Sequence, residues 1–104
     1  MNNEILSIIS QHYVDDKIKN AGIRKELFNR YGIEADDSQI RITVNELRVA
    51  KYPIGSDREG YFLARFEHEL DHTKAQMTSR VGNIMRAVNG LEKSFQPEEP
   101  SLAL

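Results

Sequence analysis

Cysteine is absent from the 104 residues, which excludes a disulfide framework, a thiolate metal site and a cysteine nucleophile. A reducing cytoplasm is the compartment this composition fits. Long apolar runs are missing too. The run at residues 5–9 contains Ser7, and nothing approaches the roughly 20 apolar residues of a membrane span. Met1-Asn2-Asn3-Glu4 has no basic segment of the kind that opens a secretory signal, so neither a leader nor a membrane partner is expected. Nor does one sign of charge dominate: 14 basic residues face 16 acidic ones, a net charge of −2. Any contact with a polyanion must therefore come from local placement of cations. A glycine-rich phosphate loop, a G-x-S-x-G elbow and a pocket-forming carboxylate pair are also lacking, so no enzymatic activity and no cofactor are expected.

What is present suits one compact domain with little to spare. Hydrophobic residues make up 39% and charged residues 29%, near the globular average, so the chain should fold. Ile5, Ile8, Ile9 and Tyr13 stand at helical spacing and predict a first short helix over residues 4–14, ended by Asp15-Asp16. Lys17-Ile18-Lys19 suits a bridge of strand. Asn20 then caps a second helix with apolar positions Ile23, Leu27, Phe28 and Tyr31, and Gly32 stops it. Asp36-Asp37-Ser38 is the next start signal, for a third helix with the stripe Ile40, Val44 and Leu47. Pro53 discourages helix at Tyr52, and two extended runs, from Ile54 and over residues 61–66, flank a polar loop at residues 55–60. That pattern predicts a β-hairpin whose loop exceeds the two-residue minimum.

From residue 67 to residue 95 no proline intervenes. Leu70, Met77, Ile84 and Leu91 recur seven apart, interleaved with Val81, Val88 and Phe95. This is a heptad seam with Lys74 as a polar a-position, and it predicts a helix that pairs with a second copy of the chain. Gly82 and Gly90 fall off the seam. Residues 96–104, with two prolines and two acids, are expected to form a flexible tail.

Three short helices followed by a hairpin is the arrangement of a winged helix-turn-helix, whose third helix enters the DNA major groove. Ile40-Arg41, Asn45-Glu46-Leu47-Arg48, Pro53-Ile54, Ser56 and Gly60-Tyr61-Phe62-Leu63 strengthen that reading. Together they resemble winged-helix domains related to the N-terminal domain of the biotin repressor. They resemble still more small phage and prophage proteins in which such a domain runs into a charged terminal helix. The likeness covers roughly residues 23–66; Tyr52 stands where a glycine usually precedes the Pro-Ile pair.

The expected fold is thus mainly α with a small hairpin: a winged domain over residues 1–66, a dimerisation helix over 67–95 and a tail. At 100° per residue Ser38, Ile42, Asn45 and Val49 lie opposite the core stripe, flanked by Gln39, Arg41 and Glu46. Arg41 suits guanine, Asn45 or Gln39 adenine, and Ile42 a thymine methyl. A merely solvated helix face has the same composition, and Asp36, Asp37 and Glu46 would repel phosphate unless they cap the helix or orient Arg41 and Arg48. Arg58 at the hairpin tip suits a phosphate or a narrow minor groove; the plain alternative is an arginine paired with Asp57 or Glu59. Lys17, Lys19, Arg24 and Lys25 form the densest basic group, and one of Tyr61 and Phe62 should pack in the core.

His68-Glu69-Leu70-Asp71-His72 matches the H-E-x-x-H zinc-protease pattern. A third ligand is lacking within reach, since Glu92 would lie roughly 30 Å along the same helix. No metal site is assigned. The expected function is double-stranded DNA binding as a homodimer, regulating transcription or replication; the rival is a winged-helix scaffold whose last helix docks another protein.

Overall fold

A computed structural model describes residues 1–95, and the expected tail lies outside them. The described residues are mainly helical with one small antiparallel hairpin, in the order α1 (Asn2–Ile9), α2 (Asn20–Tyr31), α3 (Asp37–Val49), β1 (Ile54–Asp57), β2 (Gly60–Leu63), a 3-10 turn (Glu67–Leu70) and α4 (Asp71–Lys93). They divide into two units: Met1–Thr73, and the stretch from Lys74 onward. The first unit extends past the expected boundary at residue 66 because Thr73, at the start of α4, hydrogen bonds to the hairpin.

The core of the first unit is built from the stripes that the periodicity marked. Ile5, Ile8 and Ile9 of α1, Ile23 and Leu27 of α2, and Ile40, Val44 and Leu47 of α3 meet with Ile18 and Ile54. Phe28 and Tyr31, expected on the buried side of α2, are exposed. The covered stripe of α2 is one residue wide at each turn, and the Tyr31 ring lies instead beside the Arg30 guanidinium, 5.5 Å away.

Helix α1 is shorter than expected. Its end tightens through i to i+3 bonds from the N–H groups of Gln11 and His12, and the His12 carbonyl accepts from Leu63 N–H at 2.8 Å. A continued helix would turn that carbonyl onto its own axis, so pairing with β2 ends α1 early. Ile18 forms the expected bridge, exchanging two backbone bonds with Tyr61 at 2.8 and 2.9 Å. Gly60 allows that approach: at φ +135° it adopts a conformation open to glycine, and a Cβ there would stand 2.5 Å from the Ile18 carbonyl oxygen.

The hairpin loop is tighter than expected, because Asp57 pairs with Gly60 and leaves Arg58-Glu59 as the two loop residues. Phe62 is the buried member of the aromatic pair and Tyr61 is partly buried. The Phe62 ring covers Gly55, where a Cβ would fall 2.3 Å from it.

In the second unit α4 carries the expected seam over a shorter span. Leu70 belongs to the 3-10 turn, and Phe95 lies beyond the helix, which ends where the Ser94 N–H and hydroxyl both turn back onto the Leu91 carbonyl. Met77, Val81, Ile84, Val88 and Leu91 remain as one exposed apolar row. Among the described residues no helix is long and apolar enough to cross a membrane.

Candidate nucleic-acid interface

Helix α3 is fixed at both ends before its exposed face is considered. Asp36 Oδ1 accepts from Gln39 N–H at 2.8 Å, and Gln39 Oε1 accepts from Asp36 N–H at 2.8 Å, a complete capping box. Of the expected base readers, Gln39 is therefore engaged: a bidentate contact with adenine would have to give up the cap. At the other end Tyr52 N–H reaches the Leu47 carbonyl and Lys51 N–H the Arg48 carbonyl, a Schellman closure with Lys51 at φ +78°. The left-handed residue is thus Lys51, one position before Tyr52.

Arg48 is a structural tie. Its Nε donates to the Ile54 carbonyl at 2.8 Å and its Nη2 to Ser56 Oγ at 3.0 Å, joining α3 to β1. Ser56 is held from the other side as well: its N–H donates to Thr73 Oγ1 at 3.0 Å, and the Thr73 hydroxyl donates to the Ser56 carbonyl at 3.1 Å. Thr73, which is buried, carries no signal in the sequence pattern, since a lone threonine bonding to a residue seventeen positions away leaves no periodic trace.

With both ends held, the exposed surface of α3 divides into two strips. The outer one carries Ile42, Asn45, Glu46 and Val49 around a shallow concavity of about 380 Å³. Ile42 is 59% exposed and Val49 85%, so two apolar side chains stand in solvent on a helix whose other face is the core. The second strip faces the hairpin, where Arg41 and Asp37 line a groove of about 310 Å³ with Lys19 and Asn20 from the start of α2 and Asp57 and Arg58 from the hairpin. Ser38, also exposed, accepts from Arg41 Nη2 at 3.1 Å. The structure therefore separates the six expected contact residues: Ile42 and Asn45 on the outer strip, Arg41 and Arg58 in the groove, Gln39 in the cap and Ser38 beside Arg41.

The acids that weighed against DNA are largely occupied. Asp36 caps α3, and Asp37 pairs with Arg24 at 3.1 Å. Asp57 pairs with Lys17 at 2.6 Å, and that hydrogen bond holds the Asp57 carboxyl below its usual range and raises the Lys17 ammonium above its own. Arg58 has no carboxylate within ion-pair distance among the described residues: of the two expected partners, Glu59 makes no ion pair with it, and Asp57 bonds Lys17 and the Glu59 N–H instead. Asn20 Nδ2 reaches the Asp37 carbonyl at 3.4 Å, while its buried Oδ1 has no hydrogen-bond partner among the described residues.

The H-E-x-x-H segment has a different local geometry from a single α-helical turn. His68 and Glu69 lie in the 3-10 turn and His72 in α4. Glu69 Oε1 accepts from the N–H groups of Arg65 at 2.7 Å and Phe66 at 3.1 Å, which lowers its pKa, opposite to what a general base needs. The His68 ring stacks on Phe66 with centroids 5.9 Å apart. Among the described residues no three His, Asp or Glu side chains are placed to hold a metal ion.

Protein-family models, curated proteins and solved structures offer no match to this chain.

Proposed function

We propose that the chain is a winged helix-turn-helix protein that binds double-stranded DNA in the cytoplasm, with α3 in the major groove and the hairpin as the wing. The observation that carries this reading is the side of α3 that is left open. Its core stripe is buried and both ends are held, yet Ile42, Asn45 and Val49 point outward, and the neighbouring strip of the helix faces a hairpin tip whose Arg58 has no carboxylate partner among the described residues. Asn45 supplies the amide that pairs with adenine and Ile42 the methyl surface that meets thymine. Arg41 and Arg58 add charge for the backbone. Origin in a phage or mobile element, with a role in transcription or replication, follows from the resemblance of residues 23–66.

We assign α4 as the dimerisation element. From Lys74 onward its apolar row, Met77, Val81, Ile84, Val88 and Leu91, is exposed, and a helix in a protein draws most of its stability from packing such a face. A second copy supplies the matching row, as a heptad seam requires.

One observation favours a second reading. The outer strip of α3 presents mainly apolar surface, from Ile42 and Val49, with Glu46 beside it, which suits a protein partner. Selection from a random duplex pool separates the two. The DNA reading expects enrichment of a defined motif, and loss of the gel shift on that motif when Ile42→Ala and Asn45→Ala are combined, with the circular dichroism spectrum unchanged. A pool that stays random, or an unchanged shift with the double variant, contradicts it and leaves the scaffold reading.

A further inference from the structure

The groove between α3 and the hairpin has a charge balance of its own. Three cations line it, Lys19 from the residue before α2, Arg41 from α3 and Arg58 from the hairpin tip, and none has a carboxylate within 4 Å among the described residues. Its two acids are each matched by a cation outside the lining, Asp37 by Arg24 at 3.1 Å and Asp57 by Lys17 at 2.6 Å. The groove is therefore cationic on a chain whose net charge is −2. Three elements contribute one cation each, so the cluster exists only in the folded unit, and α2 begins at the same place without a side-chain cap. Arg41 and Ile42 are adjacent in sequence and so about 100° apart around α3. The side chain next to the outer strip thus turns away from it and into the groove.

We propose that this groove is a cradle for a single backbone phosphodiester, in which Lys19, Arg41 and Arg58 converge on one phosphate and Arg41 positions the duplex instead of reading guanine. The inference rests on the DNA reading of α3 and deepens it by assigning a division of labour. The groove sets register through charge that every sequence offers, and the outer strip carries the discrimination. Arg41 suits this role because its planar fork matches two phosphate oxygens, and its Nη2 is already steadied by Ser38 Oγ at 3.1 Å.

The test is the salt dependence of duplex binding for the parent chain and for Lys19→Ala, Arg41→Ala and Arg58→Ala, each measured by fluorescence anisotropy on two duplexes, one recovered by selection and one of mixed sequence. All three positions are exposed, so the variants should keep the parent's circular dichroism spectrum. The proposal expects each to weaken both duplexes by the same factor and to reduce the slope of log K against log salt by about 1. A variant that leaves the slope unchanged, or an Arg41→Ala that loses preference between the two duplexes, overturns it. If the parent binds neither duplex, the DNA reading of α3 fails, and an NMR titration with inorganic phosphate then decides the groove alone. Amide shifts at Asn20 and Ala21 that vanish with Arg41→Ala support the cradle, and their absence in the parent overturns it.

Discussion

Ser56 and Thr73 show how much a single polar contact can decide. The Ser56 N–H has the Thr73 hydroxyl as its acceptor, and Thr73 is buried, so water cannot replace it cheaply. Thr73→Val keeps the volume and removes the acceptor; an unsatisfied buried N–H costs about 1–3 kcal/mol, which urea unfolding would read as a lowered midpoint. Lys51 offers the opposite case. It closes α3 at φ +78°, where an L side chain is strained. Lys51→Gly relieves that strain and loosens the unfolded chain, for a net gain of about 0.5–1 kcal/mol in the same measurement. The sequence marked the turn after α3 through Pro53, yet not which residue would turn left-handed, because a Schellman closure is set by where the last carbonyls find partners.

At the scale of elements, the parts legible in the sequence are those governed by local chemistry. Gly32 ends α2 at φ +66° and Asp36 starts α3 with its box, each within a residue of expectation. The parts that were not legible depend on distant partners. Helix α1 stops early because β2 takes the His12 carbonyl, and the hairpin loop shrinks to two residues because Asp57 and Gly60 pair. The two strips of α3 were visible as one exposed face; their separation needed the hairpin to be in place beside Arg41. The Lys17–Asp57 pair fastens that hairpin and carries a pH signature. The lowered pKa of Asp57 gives stability that is present above the unfolded value of about 3.9 and is lost as pH falls through the folded one. The raised pKa of Lys17 gives stability that is full below about 10.4 and is lost as pH rises through its folded value. Both groups are partly exposed, so the sum is small, at most about 1 kcal/mol. Thermal unfolding should therefore find Asp57→Asn slightly less stable than the parent near neutrality and level with it near pH 2.

For the whole molecule, the near balance of charge means that attraction to arbitrary DNA is modest, since few cations are free to displace counterions. In the proposed DNA-binding dimer, discrimination comes from α3, and pairing through α4 would bring two such helices to one duplex. Ile84 sits in the middle of the exposed apolar row of α4. Ile84→Asp places a charge in the proposed seam, and sedimentation equilibrium should return the mass of one chain where the parent gives two; an unchanged dimer would move the interface elsewhere. The most direct test of the central claim is an NMR footprint of the labelled protein with a duplex recovered by selection. The largest shifts should fall at the backbone amides of residues 38–49, at the Asn45 side-chain amide and at the hairpin tip around Arg58. Shifts confined to α1 or to the apolar row of α4, with α3 unmoved, would contradict it.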